Sequence, residues 1–156
     1  LAEIIYKRIA NKFEASCFIH NVREETKNYG LLHLQKQVIY EILSESETNI
    51  QNLCVATNII ANRIRKRRVL IILDDVDEDE QVEALAMSHN WFGQGSRIII
   101  TSRDLHFLNR LEVNTYKVKK LNNTEALELF SWKAFKKSHP EENYVELSKD
   151  IVSYAQ

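Results

Sequence analysis

Five consecutive apolar residues, Val69 to Leu73, run directly into the carboxylates of Asp74 and Asp75, with a further acid at Asp77. A run this short, continuous rather than alternating, predicts a strand covered on both faces. Ligands of open parallel sheets sit beyond the carboxyl ends of the strands, so such a strand delivers its two acids to the ligand crevice. There the first carboxylate can hold Mg²⁺ directly or through its water, and the second can orient or deprotonate an attacking water. A second apolar run, Arg97-Ile-Ile-Ile-Thr101, continues into Ser102-Arg103-Asp104. Hydroxyls and a guanidinium at a neighbouring strand end suit a terminal phosphate, because Arg offers phosphate oxygens a planar, permanently charged fork. Each motif also has a plainer use. Asp74 and Asp75 can cap a helix starting near Glu78, Ser102 or Asp104 can cap the next one, and Arg103 can pair with a surface acid. Together the two motifs would converge on one crevice.

The elements around them alternate. Leu1, Ala2, Ile5, Ile9 and Phe13 follow helical spacing, Ala15 to His20 reads as a strand, and a charged loop runs through Asn28-Tyr29-Gly30. A helix over 31–44 carries Leu31, Leu34, Val38 and Ile42 on one face and exits through Ser44-Glu45-Ser46-Glu47. The clearest helix, 52–65, holds Leu53, Ala56, Thr57, Ile60, Ala61 and Ile64 at i, i+3, i+4 spacing. After the Val69 strand come a helix over 78–88 with Val82, Leu85 and Ala86 inward, a turn from Trp91 to Gly95, the Arg97 strand, a helix over 104–110 and a small strand near Tyr116 to Val118. Strands alternating with helices predict a parallel sheet with helices on both faces. Asn122 with Glu125 forms a capping-box pattern opening a helix with Ala126, Leu129, Phe130 and Ala134, and another helix runs from Glu141 to Gln156. The chain therefore divides into an α/β domain over 1–121 and a helical piece over 122–156. Both ends are helical in pattern and lack cap or stop signals, as expected of part of a longer polypeptide.

With 156 residues, a net charge of −1 and 44 % hydrophobic residues, the composition is that of an ordinary globular domain rather than a disordered chain. The near balance of charge disfavours a general nucleic-acid or anionic-membrane binder. No apolar run approaches the roughly 18–20 residues of a membrane span. Two cysteines, Cys17 and Cys54, without metal-ligand spacing, indicate neither a disulfide framework nor a zinc site, and fit a reducing intracellular compartment. Cys17, in an apolar run, reads as core. Arg65 to Arg68, with Arg63, reads as the solvated end of the 52–65 helix rather than a nucleic-acid patch. The five histidines carry no metal pattern, and Trp91, Phe92, Trp132 and Phe135 read as packing anchors.

Leu70-Ile-Ile-Leu-Asp-Asp-Val-Asp77 resembles the Walker B, or kinase 2, motif of the NB-ARC domain of plant disease-resistance proteins. Trp91 to Asp104 resembles its RNBS-B motif, and Tyr116 to Phe130 its RNBS-C motif. Cys17-Phe-Ile-His-Asn-Val-Arg-Glu24, followed by Leu31 to Gln37, resembles RNBS-A of the subclass with an N-terminal TIR domain, and Asp77 agrees with that subclass. The resemblance covers nearly the whole chain. It implies a P-loop NTPase α/β sheet of the STAND type, continuing into the first helices of an ARC subdomain. It further implies that Asp74 helps hold Mg²⁺, that Asp75 supports hydrolysis, and that Arg103 senses the terminal phosphate, with Thr101 and Ser102 lining the crevice. Arg23 matches a motif position to which the resemblance attaches no role.

The resemblance also implies a switch holding ADP or ATP with Mg²⁺, a slow ATPase in the intact parent, working in plant immune signalling in the cytoplasm, with nucleo-cytoplasmic placement also open. Its implied partners are neighbouring TIR and LRR domains and further copies of itself on activation. The chain has no G-x-x-x-x-G-K-[ST] string, and its three glycines, Gly30, Gly93 and Gly95, cannot supply one. The family's phosphate loop and first strand are expected before Leu1, and its Gly-Leu-Pro-Leu motif after Gln156, so this chain alone is expected to bind nucleotide weakly or not at all. By the same resemblance the first strand lies between the Val69 and Tyr116 strands, beside the Arg97 strand, which predicts a gap or a false neighbour at the centre of the sheet. A rival reading is a nucleotide-independent scaffold whose acids are structural; another is a related ATPase acting on DNA.

Overall fold

The computed structural model describes residues 1–44, 50–65, 67–86 and 92–155. The expected exit of the 31–44 helix at Glu45 to Glu47, the last two residues of the 78–88 helix, Lys66, His89, Trp91 and Gln156 lie outside the described residues. The chain forms two compact units, Leu1–Asn114 and Thr115–Gln156.

The first unit is built on three parallel strands, β1 (Ala15–Ile19), β2 (Val69–Leu73) and β3 (Arg97–Ile100), in the order β1-β2-β3. Cys17 stands opposite Ile71 on one side of the ladder, and Ile71 opposite Ile98 on the other. All five residues of β2 are fully buried, as its unbroken apolar run requires. The pleat sends alternate side chains to opposite faces. Cys17, Ile19, Val69, Ile71 and Leu73 join the larger core with α3 (Leu31–Leu43), α4 (Leu53–Ile64), α5 (Asp79–Leu85) and Phe107 of α6 (Leu105–Arg110). Phe18, Leu70 and Ile72 face α1 (Ala2–Ile9) and the 3-10 turn Ala10–Lys12, where the Tyr6 ring meets the Phe18 ring edge-on at 5.5 Å. Helices thus cover both faces, as the alternation of elements predicts. The side chain of Gln35, buried in α3, donates from Nε2 to the Ala84 carbonyl at 2.8 Å and to the Thr57 hydroxyl at 3.1 Å, tying three helices together.

Three expectations are corrected and one is met. The predicted charged loop after β1 is a helix, α2 (Val22–Tyr29). Asn21 enters it with a left-handed φ of 47°, a conformation Asn tolerates, and the first-turn amides of Val22 and Arg23 donate to the carbonyls of Asp74 and Asp75. Those tertiary bonds, with Glu24 and Glu25 complementing the dipole, support an element that is polar overall and buries Val22. The expected gap beside the Arg97 strand is present: among the described residues β3 pairs with β2 alone, and nothing pairs along its other edge. β3 is an edge rather than a strand covered on both faces, with Ile98 36 % exposed. Finally, among the described residues Tyr116 to Val118 joins no strand, and Tyr116 is 81 % exposed. A short segment without a ladder partner has nothing to hold it as a strand.

Gly30 joins α2 to α3 at φ 77° and ψ 164°, a region open essentially to glycine alone. A Cβ placed there would meet nothing within 4 Å, so Gly30→Ala isolates backbone strain from steric clash. It is expected to destabilise the chain by about 1–2 kcal/mol in a denaturant titration. Arg67 and Arg68 donate to the carbonyls of Ile42 and Lys12 at 3.4 and 2.6 Å, and Arg68 lies over the Phe13 ring. These bonds occupy two residues of the basic run with structural contacts.

In the second unit, α7 (Asn123–Ala134) opens with the expected capping box: the Asn122 side chain accepts from the Glu125 amide and the Glu125 side chain from the Asn122 amide, both at 2.9 Å. α7 packs against α8 (Val145–Ala155), which is entered through a 3-10 turn, Glu142–Tyr144. Ala126, Leu127, Phe130 and Ser131 are the sheltered positions of α7; Leu129 and Ala134, expected on that face, are exposed. Phe135 packs between the Phe130 and Tyr144 rings, whereas Trp132, expected as an anchor, is 51 % exposed because it falls on the opposite side of the helix.

Candidate functional site

The ladder carries both predicted motifs to the same end of the sheet. Parallel pairing continues one step past the strands, with the Asp74 amide donating to the Ile19 carbonyl and the Thr101 amide to the Leu73 carbonyl, each at 2.9 Å. Thr101 and Asp74 are thereby neighbours, and the Thr101 hydroxyl donates to Asp74 Oδ1 at 2.6 Å. The hydroxyl oxygen of Thr101 also accepts from the Asp75 amide at 2.9 Å. One hydroxyl therefore fixes the first acid by its side chain and the second by its backbone.

Asp75 holds a left-handed backbone with φ 59°, which non-glycine residues adopt at a cost and Asp more readily than most. That turn aims its carboxylate at Arg103, which grips it with both prongs: Nε to Oδ1 at 2.8 Å and Nη2 to Oδ2 at 2.7 Å. The Arg103 hydrogen bonds, opposed by partial burial and assisted by the charges of Arg103 and Arg23, hold the Asp75 carboxyl below its ordinary value. Asp75 in turn raises the affinity of Arg103 for its proton. Because a carboxyl with a lowered folded-state value contributes stability only while ionised, the contribution is complete above about pH 5 and fades as pH falls through the lowered value. Arg103→Gln is accordingly expected to lower stability near neutrality and to flatten the acid limb, the two proteins converging as pH falls through the lowered value; denaturant titrations at several pH values check it.

The plainer uses are settled residue by residue. Asp74 and Asp75 do not cap α5: the Gln81 side chain accepts from the amides of Asp77 and Glu78, and donates to Asp77 Oδ1. Asp104 does cap α6, its Oδ1 accepting from His106 and Phe107. Ser102 turns into its own loop, its hydroxyl accepting from the Asp104 amide at 3.2 Å. Thus Asp74, Asp75, Thr101 and Arg103 form one bonded cluster, and Ser102 adjoins it without a bond to the acids. Arg23, to which sequence assigned no role, belongs to the cluster, its Nε 3.4 Å from Asp75 Oδ2. The missed signal was Gly30 as a helix stop after acidic first-turn residues, which would have folded Val22-Arg23 back as a helix start. Cys17 is wholly buried, as expected, and burial pushes its thiol well above the ordinary range.

The residues suit a hard cation shared with a ligand rather than a closed protein cage. Among the described residues no three His, Cys, Asp or Glu side chains gather as a metal site. Asp74 is half-buried and keeps Oδ2 without a hydrogen-bond donor among the described residues. One carboxylate oxygen, with water and phosphate oxygens completing the shell, is how Mg²⁺ is ordinarily held.

Fold and site together define an α/β protein of the open parallel-sheet class, its polar cluster lying where that class places ligands. The NB-ARC domain family matches residues 1–140, and the chain belongs to that family. Its P-loop NTPase fold class is the one the sequence motifs imply. The chain is 39 % identical over its whole length to disease resistance protein RUN1 of Vitis rotundifolia. It is also 39 % identical, over 92 % of its length, to TMV resistance protein N of Nicotiana glutinosa. Disease resistance protein RPP2B of Arabidopsis thaliana is 34 % identical over 99 % of the chain. In each case the match spans 12 % of the relative's length. The chain is therefore NB-ARC sequence of the kind found in plant disease resistance proteins. No helix among the described residues is long and apolar enough to cross a membrane.

Proposed function

We propose that the chain is the central part of a nucleotide-dependent switch in a plant immune receptor of the TIR, NB-ARC and LRR kind, with residues 1–121 belonging to the nucleotide-binding domain and 122–156 opening the helical ARC subdomain. The observation that carries this reading is the joining of two strand ends by Thr101 to Asp74 and Arg103 to Asp75, in a chain of the NB-ARC family. ADP or ATP occupies the crevice beyond these ends. Mg²⁺, when bound, supplies neutralisation of charge on the terminal phosphate. Asp74 is its protein ligand, oriented by the Thr101 hydroxyl. Arg103 distinguishes ATP from ADP by leaving Asp75 for a terminal phosphate oxygen, since a guanidinium fork fits either carboxylate or phosphate. Asp75, freed of that grip, accepts hydrogen bonds from water at the phosphate and supports slow hydrolysis. Thr101 and Ser102 line the crevice wall. Exchange of Arg103 between two acceptors biases two arrangements of the subdomains, the physical content of a switch. The setting is cytoplasmic, with neighbouring TIR and LRR domains and self-association on activation as the output.

The test is calorimetric titration of ADP and ATP with Mg²⁺ into this chain and into a longer polypeptide in which a glycine-rich phosphate loop precedes it. Binding by the longer form with little or none by the 156-residue chain is expected. If a folded longer form binds neither nucleotide, the acids are structural and the scaffold reading replaces this one.

A further inference from the structure

Arg23 stands in the first turn of α2, a helix whose start is fastened to the two acids by backbone alone. Its amide donates to the Asp75 carbonyl at 3.1 Å, beside the Val22 amide on the Asp74 carbonyl at 2.8 Å. The side chain turns back over Asp75, with Nε 3.4 Å from Oδ2 and Nη2 3.8 Å from Glu24 Oε1. Nε is sealed from solvent, yet it donates no hydrogen bond. A buried donor without an acceptor is an unfavourable arrangement, and the ordinary N–H···O separation is about 2.9 Å. The carboxylate it faces is already held by Arg103, whose planar fork donates to both oxygens at 2.8 and 2.7 Å. The two guanidiniums are not equivalent. The Arg103 side chain is 69 % exposed, whereas that of Arg23 is 30 % exposed and rooted in a helix bonded to the acids themselves.

We propose that Arg23 is a positioning residue for Asp75: when Arg103 turns from Asp75 to a phosphate oxygen, Arg23 Nε closes onto Asp75 Oδ2 and keeps the carboxylate in place. The inference rests on the nucleotide reading above and deepens it. Closing a 3.4 Å separation to a hydrogen bond needs a shift of about 0.5 Å. Without a second cation, release of Arg103 would leave a half-buried carboxylate unpaired at a strained residue. With Arg23 in reserve the exchange satisfies a donor that is idle in the present arrangement, so a terminal phosphate has less to overcome in drawing Arg103 away.

The test needs no nucleotide. In the 156-residue chain, the coupling between Arg23 and Asp75 is taken from the unfolding equilibria of Arg23→Gln, Asp75→Asn and the double variant, first with Arg103 present and again with Arg103→Gln. The coupling is expected to grow by about threefold or more in equilibrium constant once Arg103 is gone; an unchanged or smaller coupling overturns the proposal. If Arg103→Gln does not fold, Arg103→Lys, which keeps the charge and loses the planar fork, takes its place with the same two outcomes. A second readout is the exchange of the Arg23 Nε–H proton followed by NMR, which a merely structural role would leave alone. It is expected to slow by about tenfold in the Arg103 variant, and an unchanged rate overturns the proposal. Failure in these measurements removes the role of Arg23 and leaves the nucleotide reading standing. A stronger coupling in a chain whose longer form binds no nucleotide would instead overturn the phosphate half of the proposal.

Discussion

Phe107→Ala is expected to destabilise the first unit by about 3–5 kcal/mol, a large fraction of the about 5–15 kcal/mol that holds a domain of this size. Phe107 is wholly buried although it belongs to a helix of six residues, Leu105–Arg110, too short to stand by itself. Its ring is what roots that helix in the main core, with the Arg110 guanidinium over it at 5.7 Å. Asp104 caps the helix and Arg103 immediately precedes the cap, so a cavity under Phe107 also loosens the chain from which Arg103 reaches Asp75. Phe107→Leu, which keeps most of the volume, is expected to cost less than half as much. Denaturant midpoints at constant slope check both; a Phe107→Ala loss under about 1 kcal/mol would mean that the helix is held by something other than this ring.

Thr101→Val is expected to cost about 2–3 kcal/mol, although the two side chains have nearly the same shape. The hydroxyl donates to Asp74 Oδ1 at 2.6 Å and accepts from the Asp75 amide at 2.9 Å. Valine removes the charge-assisted bond and leaves the amide of a left-handed residue without its acceptor, so both acids lose their common support. Thr101→Ser, which keeps the hydroxyl, is expected to retain most of the stability. Equal losses for Val and Ser would show that the methyl group matters rather than the bridge.

The three strands, α3, α4 and the capping box of α7 were legible because their signals are local: unbroken apolar runs, a stripe at helical spacing, and Asn122 three residues before Glu125. α2 was not, because its first turn is held by the carbonyls of Asp74 and Asp75, some fifty residues away in sequence, which no local pattern reports. The same separation hid Arg23, whose place beside Asp75 follows from where α2 starts. Asp74, Asp75, Thr101 and Arg103 were legible as a group because β2 and β3 are adjacent and parallel, so motifs at their carboxyl ends must meet. That Arg103 would grip Asp75 itself was hidden, since it depends on the left-handed turn at Asp75. The edge position of β3 and the unpaired Tyr116 segment reflect which neighbours a strand has, and Ile98-Ile99-Ile100 reads alike at an edge or in a centre.

In the proposed switch, Arg103 is the element that tells ATP from ADP by changing acceptor. The most direct test is the ratio of ADP to ATP dissociation constants, with Mg²⁺ present, for the longer polypeptide and for its Arg103→Ala variant. The variant is expected to bind ADP within about twofold of the parent while its preference for ATP falls by about tenfold or more, the loss of one charge-assisted contact to the terminal phosphate. Equal weakening of both nucleotides, or an unchanged ratio, would contradict it.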